Sequence, residues 1–256
     1  MPAHPENVVS PIVDVCHRLY SRGFVTATDG NVSVRLENGN FLTTRSSINK
    51  GMLTSGDLVE VDDSGKAVAS QLMPSTEIGM HLFIYSQRPD VHAVVHAHPP
   101  YATGFATARQ PLTGCVSPEV IVGLGAIPLA GYATPSTVEV SQSLEPFVGR
   151  ADAILLANHG VVTYGRDIYD AYFKMEKVEH TAQITFIARM LGGEQPLSEE
   201  ALEKLRAISP LSYGKDLTDR ISCDPERACD GGRSTSVPTD EEIRNIVRRM
   251  IGGTDR

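Results

Sequence analysis

Residues 93–106 read AVVHAHPPYATGFA. An apolar run, Ala93-Val94-Val95, leads into His96 and His98 with one small residue between them, and Pro99-Pro100 follow at once. The run predicts a strand. Side chains alternate faces along a strand, so His96 and His98 leave it on one side, close enough to share an ion. Proline has no N–H for the ladder, so the strand ends directly after the pair. The histidines then sit near its carboxyl end, where α/β proteins often place their sites. Imidazole suits zinc and other late divalent metals. Two polar residues on a solvated strand face would give the same pattern, and a third ligand is what separates the two readings.

That third candidate is His159, in ILLANHGVVTYG (154–165), where an apolar strand ends at Ala157 and Gly160 permits a sharp turn. Three histidines at strand ends with an open fourth position is the arrangement of a catalytic metal. PSTEIGMH (74–81) places Ser75, Thr76 and Glu77 in the first turn of a helix. Hydroxyls and free N–H groups there favour an anion such as phosphate, although Ser75 would equally serve as an N-cap. Glu77 precedes His81 by four residues, so the two share a helix face; His81 is read as structural. In TDGNVSVR (28–35), Asp29-Gly30-Asn31 forms a tight turn before a strand. TTRSSINKG (43–51) is rich in hydroxyls and carries Arg45 and Lys50. Hydroxyls, backbone donors and arginine are good phosphate partners. No G-x-x-x-x-G-K-[ST] or G-x-G-x-x-G is present, so nucleotide use is not indicated.

The 256 residues are 41% hydrophobic, enough for one well-packed domain, and carry a net charge of −8. An acidic chain argues against nucleic acid or an anionic membrane surface as the main partner, but not against a small anionic substrate. No apolar run approaches the roughly 20 residues that span a bilayer. The first residues show no basic start followed by a hydrophobic core. The four cysteines, Cys16, Cys115, Cys223 and Cys229, are scattered. They are read as reduced thiols of a cytoplasmic protein.

Residues 6–22 predict a helix, and Val32 to Thr43 a hairpin turning at Asn38-Gly39. A short strand pair is expected at 58–62 and 67–72, then a helix from 75 to about 87, the strand at 92–98 and a helix over 100–109. Further on, a strand is expected at 126–129, a helix at 136–147, strands at 153–157 and 161–164, and a long helix over 168–191. Another helix starts at Ser198. Residues 215–238 are polar, and 239–251 carry a capping-box pattern with an apolar stripe. The interleaving predicts an α/β fold: a single three-layer domain, residues 1–214, with a central mixed, largely antiparallel sheet flanked by helices. Residues 215–256 would form a C-terminal extension, a polar linker plus a short amphipathic helix.

Taken together, the Gly-Asn turn at 30–31, Ser-Thr-Glu at 75–77, His-x-His at 96–98 and His-Gly at 159–160 resemble the class II aldolase/adducin family. Within it, they resemble the L-fuculose-1-phosphate aldolases. The resemblance covers residues 8–214. It implies Zn²⁺ on His96, His98 and His159, one per chain, with Mn²⁺ or Co²⁺ as other ions of the same kind. It implies Glu77 as acid/base beside the metal, and a cyclic homotetramer with sites at subunit interfaces. Thr28, Gly30, Asn31, Ser75 and Thr76 match positions that bind substrate phosphate. Arg45 and Ser46 fall in the second phosphate loop, where the family often has Thr-Gly. The implied reaction is reversible cleavage of a ketose 1-phosphate, L-fuculose 1-phosphate or a 5-deoxy- or 5-methylthio-ribulose 1-phosphate, to dihydroxyacetone phosphate and an aldehyde.

These aldolases also use a tyrosine from a neighbouring subunit as proton donor. Its nearest counterpart here is Cys115, so Tyr132 and Tyr213 are the substitutes, Tyr213 matching a C-terminal tyrosine that closes over the site. SPEVIVG (117–123) is similar to methylthioribulose-1-phosphate dehydratases, in which Glu119 would be the acid/base. A pentulose-5-phosphate 4-epimerase is a further alternative, although those enzymes tend to have Asp where this chain has Glu77. A non-catalytic adducin-like binding module would lack the histidine set.

Overall fold

The computed structural model describes residues 4–213. The proposed linker and terminal helix beyond residue 214 lie outside the described residues. The strand that carries the first two histidines, β4 (Ala93–Ala97), is the centre of a seven-stranded sheet. It is flanked by β1 (Asn31–Arg35) on one side and β7 (Gly160–Gly165) on the other, both antiparallel to it. Beyond β1 lie β2 (Phe41–Thr44) and β3 (Leu58–Val61), and beyond β7 lie β6 (Ala153–Leu156) and β5 (Leu129–Ala130). The order is β3-β2-β1-β4-β7-β6-β5, and only the β5–β6 pairing is parallel. This is the mixed, largely antiparallel sheet expected.

Both faces are covered, which is why β4 reads as an unbroken buried run rather than an alternation. On one face Ala93, Val95 and Ala97 join Val32, Val34 and Val161 beneath three helices: α1 (Glu6–Ser21), α3 (Pro100–Thr107) and α6 (Ile168–Met190). On the other, Val94 joins Phe41, Ile154 and Val162 beneath α2 (Ile78–Gln87) and α5 (Val138–Val148). His96 shares the parity of Val94, so its side chain belongs to the α2 layer. Two further α-helices, α4 (Pro118–Gly123) and α7 (Glu199–Tyr213), pack together through Ile121 and Leu202.

Several expectations need correction. Residues 67–72 are not a strand. They touch β3 through a single bridge, Val61 to Ala67, after which Val68 is 42% exposed and the Ser/Pro-rich segment leaves the sheet edge. The strand expected at 126–129 is displaced to Leu129–Ala130, because Ile127 pairs instead with Leu112. The short helix α4 was not foreseen; six residues are too few to show a helical period. Cys115 is disulfide-bonded rather than a reduced thiol, whereas Cys16 is free and buried.

A three-histidine cluster beside a buried carboxylate

Strand register brings the site together. Asn31 on β1 lies directly across from His96 on β4, and His96 directly across from Val162 on β7. His98 follows the end of β4, and His159 occupies the turn between β6 and β7. That turn is tight. Asn158 sits at φ 57°, a left-handed conformation that asparagine tolerates. At Gly160 a Cβ would lie 2.6 Å from both the Ala97 carbonyl oxygen and His98 Cδ2. Glycine is therefore what lets the third histidine approach the other two. Likewise Gly30, at φ 72°, leaves room for the turn to press on the His96 carbonyl, 2.8 Å from where a Cβ would be.

The three rings pack with centroids 4.7 to 5.2 Å apart, and one nitrogen from each falls within 4.8 Å of the others. His96 is fully buried, and its Nδ1 lies 2.9 Å from the Val161 carbonyl. A carbonyl can only accept, so Nδ1 carries the proton and the Nε2 lone pair faces the cluster. Burial holds this imidazole neutral, its pKa pushed down to about 3. Burial also lowers the pKa of His98. The His96 Nε2 lone pair faces His98 Nε2 at 3.1 Å and Glu77 Oε2 at 3.4 Å. His98 Nε2–H can donate to the His96 lone pair, and with its proton on Nδ1 instead the same nitrogen offers a second lone pair to a cation among these atoms. The donor set thus fits a divalent ion held by His96, His98 and His159, with the Val161 carbonyl, and Asp29 3.9 Å from His98 Nδ1, behind the rings. Sequence could not reveal the Val161 carbonyl, since a backbone acceptor leaves no residue signature.

Glu77 is the N-cap residue of α2, but its side chain makes no capping bond. It turns instead to the cluster, with Oε1 3.2 Å from His159 Nε2 and Oε2 accepting from Asn31 Nδ2 at 2.8 Å. Burial opposes its charge, yet the hydrogen bonds from His159 and the Asn31 amide hold the carboxyl well below the usual carboxylate range. A carboxylate that stays ionised beside a cation site can accept a proton from a bound substrate.

The remaining sequence candidates divide. Thr28, Gly30 and Asn31, Arg45 and Ser46, and Ser75 and Thr76 belong to three loops tied to one another. Ser46 N donates to the Met73 carbonyl and Ser75 N to that of Thr44. Asn49 Nδ2 and Lys50 Nζ hold the carbonyls of Ala27 and Thr28. Ser75 Oγ accepts from Glu77 N, and Thr76 Oγ1 accepts from Ser136. Arg45 is engaged with Asp57 at 2.7 Å, and Lys50 is buried, so the loops offer hydroxyls before cations. Glu119 is exposed on α4, bonded to Ser117, and lines a cleft of about 790 Å³ that none of the three histidines lines. Tyr132 is 59% exposed beyond β5. Tyr213 ends α7, and its side chain lies outside what is described. No described helix is long and apolar enough to cross a membrane.

Residues 10–186 match the family described as Class II Aldolase and Adducin N-terminal domain. The chain is 34% identical over 184 residues to an L-fuculose phosphate aldolase of Methanococcus maripaludis, covering 72% of this chain and 98% of that one. It is 33% identical over 172 residues to a 3-oxo-tetronate 4-phosphate decarboxylase of Pectobacterium atrosepticum, covering 66% and 78%. Among solved structures, an L-fuculose 1-phosphate aldolase superposes with a TM-score of 0.73 at 30% identity, over 79% of this chain and 96% of that chain.

Proposed function

The chain belongs to the class II aldolase and adducin family and is a lyase of aldolase type, and we propose that it cleaves a ketose 1-phosphate reversibly to dihydroxyacetone phosphate and an aldehyde, using Zn²⁺ on His96, His98 and His159. The observation that carries this reading is the Glu77 carboxyl group set against three converging imidazoles. Relatives named L-fuculose phosphate aldolase, matched over nearly their whole length, support the substrate class.

Cleavage between C3 and C4 of such a ketose leaves an enediolate, whose negative charge is the main obstacle. Bound Zn²⁺ supplies Lewis-acid stabilisation of that charge. The chain's own residues do the rest. Glu77 moves the proton on the carbon that becomes C3 of dihydroxyacetone phosphate, and Asn31 fixes the carboxylate's orientation. The hydroxyls of Thr28, Ser46, Ser75 and Thr76, with the Gly30 turn, anchor the phosphate so that this carbon faces Glu77. The donor to the departing aldehyde oxygen is Tyr213 or Tyr132. Glu119 stands in a cleft that none of the three histidines of its own chain lines. We further read the protein as a homotetramer with residues 1–214 as its catalytic domain. The apolar face of α6, where Ile184, Ile187 and Met190 are exposed, supports association.

The decarboxylase relatives favour a second reading, in which a 3-oxo acid 4-phosphate loses carbon dioxide and leaves the same kind of enediolate. One assay separates them. A panel of ketose 1-phosphates and 3-oxo acid phosphates is incubated with the protein, with and without chelator, and dihydroxyacetone phosphate and carbon dioxide are measured. Chelator-sensitive release of dihydroxyacetone phosphate from a ketose 1-phosphate without carbon dioxide, restored by Zn²⁺, is the expected result. Carbon dioxide released together with dihydroxyacetone phosphate from a 3-oxo acid phosphate, with the ketose 1-phosphates left uncleaved, would establish the second reading, and chelator-insensitive turnover would overturn both.

A further inference from the structure

Four residues after Glu77, His81 is wholly buried, and the reaction just described makes no use of it. Its Nδ1 lies 2.7 Å from Ser33 Oγ on β1. Ser33 is two residues after Asn31, the partner of Glu77. Two rungs therefore join α2 to β1, Asn31–Glu77 and Ser33–His81, running in the same direction. Two residues of strand rise about 6.6 Å, and four residues of helix about 6 Å, so the rungs are in register. One further turn along α2, the Tyr85 hydroxyl donates to the Ser33 carbonyl at 2.9 Å and sits 2.9 Å from Ser33 Oγ.

One assignment of protons satisfies every contact. The Tyr85 proton goes to the Ser33 carbonyl, the Ser33 hydroxyl donates to Tyr85 Oη, and His81 Nδ1–H donates to Ser33 Oγ. His81 Nε2 is left buried and without a hydrogen-bond partner among the described residues. A leucine at this position would pack among Met80, Ile84 and their neighbours with no such orphan. What leucine lacks is the bond to Ser33. Burial pushes the His81 pKa down to about 4, so the ring stays neutral and the rung is intact across the neutral range.

We propose that His81 is a positioning residue: the Ser33–His81 rung sets where α2 sits along β1, and so holds the Glu77 carboxylate against His96 and His159. The proposal rests on the reading of Glu77 as the acid/base.

The test uses S33A, H81L and H81N in the full chain. Asparagine can place an amide donor near the Nδ1 position, whereas leucine cannot. In S33A and H81L we expect kcat to fall by about 10- to 100-fold, the scale of a small misplacement of a reacting group, with KM and bound metal within about two-fold of wild type. H81N should recover most of that loss. Adding S33A to E77Q should bring no further loss, because the rung acts only through Glu77. Crystals of S33A should show the carboxylate displaced from His96 and His159. Unchanged kcat in S33A, a loss that multiplies with E77Q, or a Glu77 carboxylate in its wild-type place would each overturn the proposal. S33A, which removes one oxygen and preserves the packing, decides the matter if H81L fails to fold. If the wild-type protein turns over none of the panel, the functional reading fails, while the S33A crystal still judges the rung.

Discussion

Replacing Glu77 by glutamine isolates the charge from the shape. Glu77 Oε2 accepts from Asn31 Nδ2 at 2.8 Å, while Asn31 Oδ1 is buried and without a hydrogen-bond partner among the described residues. Glutamine therefore meets a complementary neighbour in either orientation. With its oxygen toward Asn31 the present bond persists. With its NH₂ there, the asparagine amide flips and Oδ1 accepts. The change exchanges a charge-assisted hydrogen bond for a neutral one, a difference of about 1 kcal/mol, which for a domain of this size lowers Tm by roughly 2–4 °C. The metal ligands are untouched, so bound ion should stay near one per chain. Turnover is another matter, because an amide cannot accept the proton. Loss of a general base costs roughly 10²–10⁴-fold in rate, about 3–5 kcal/mol of barrier. The assay is cleavage of the active ketose phosphate alongside exchange of the dihydroxyacetone phosphate proton with solvent, with Tm and metal content read on the same preparations. A folded, metal-loaded E77Q that exchanges this proton within about ten-fold of wild type would refute the role assigned to Glu77.

Other expectations follow from the same geometry. H159A should lose most of its bound ion while staying folded, as metal analysis after dialysis would show; full occupancy would remove His159 from the donor set. G160A places a methyl 2.6 Å from the Ala97 carbonyl oxygen and from His98 Cδ2. It should cost about 1–3 kcal/mol in denaturant unfolding and weaken metal binding in chelator competition, and wild-type values for both would show that the turn yields freely. Metal-free protein should become more stable as pH rises from about 4 to about 6.5, because His81 titrates at about 4 when folded and near 6.5 when unfolded. The unfolded chain then binds more protons within that window, for a total on the order of 3 kcal/mol from this residue. Glu77, depressed in the folded state, adds to the loss as pH falls below its unfolded value. H81N should lessen the slope of the urea-midpoint profile between pH 4 and 6.5, the remainder coming from His96 and His98, and an unchanged slope would mean His81 is not held neutral by burial.

Much of the site was legible in the chain because it is written in local patterns. His-x-His before two prolines can only be the end of a strand, and strand alternation puts both rings on one side. Ser-Thr-Glu ahead of an apolar helix marks a polar N-terminus, and His-Gly after an apolar strand marks a turn. The long helices and the central strands carry enough period to be found without a structure. The failures are equally local. Residues 67–72 have strand composition but keep only one bridge to β3, and α4 is too short to show a period.

What only the tertiary structure decided is which of these pieces meet. Nothing in sequence says that Asn31 faces His96 across a strand pair, that Val161 supplies the carbonyl fixing the His96 tautomer, or that Glu77 declines its capping role to face the imidazoles. Sequence also assigned Arg45 and Lys50 to an anion, whereas packing engages the first with Asp57 and buries the second beneath the 26–30 turn. His81 is the clearest case. In the chain it is one more residue on a helix face; in the fold its ring reaches a serine two residues from the partner of Glu77. Residue type and spacing determine what chemistry a side chain can do, but strand register and helix placement determine which atoms it does it with, because those contacts join segments dozens of residues apart.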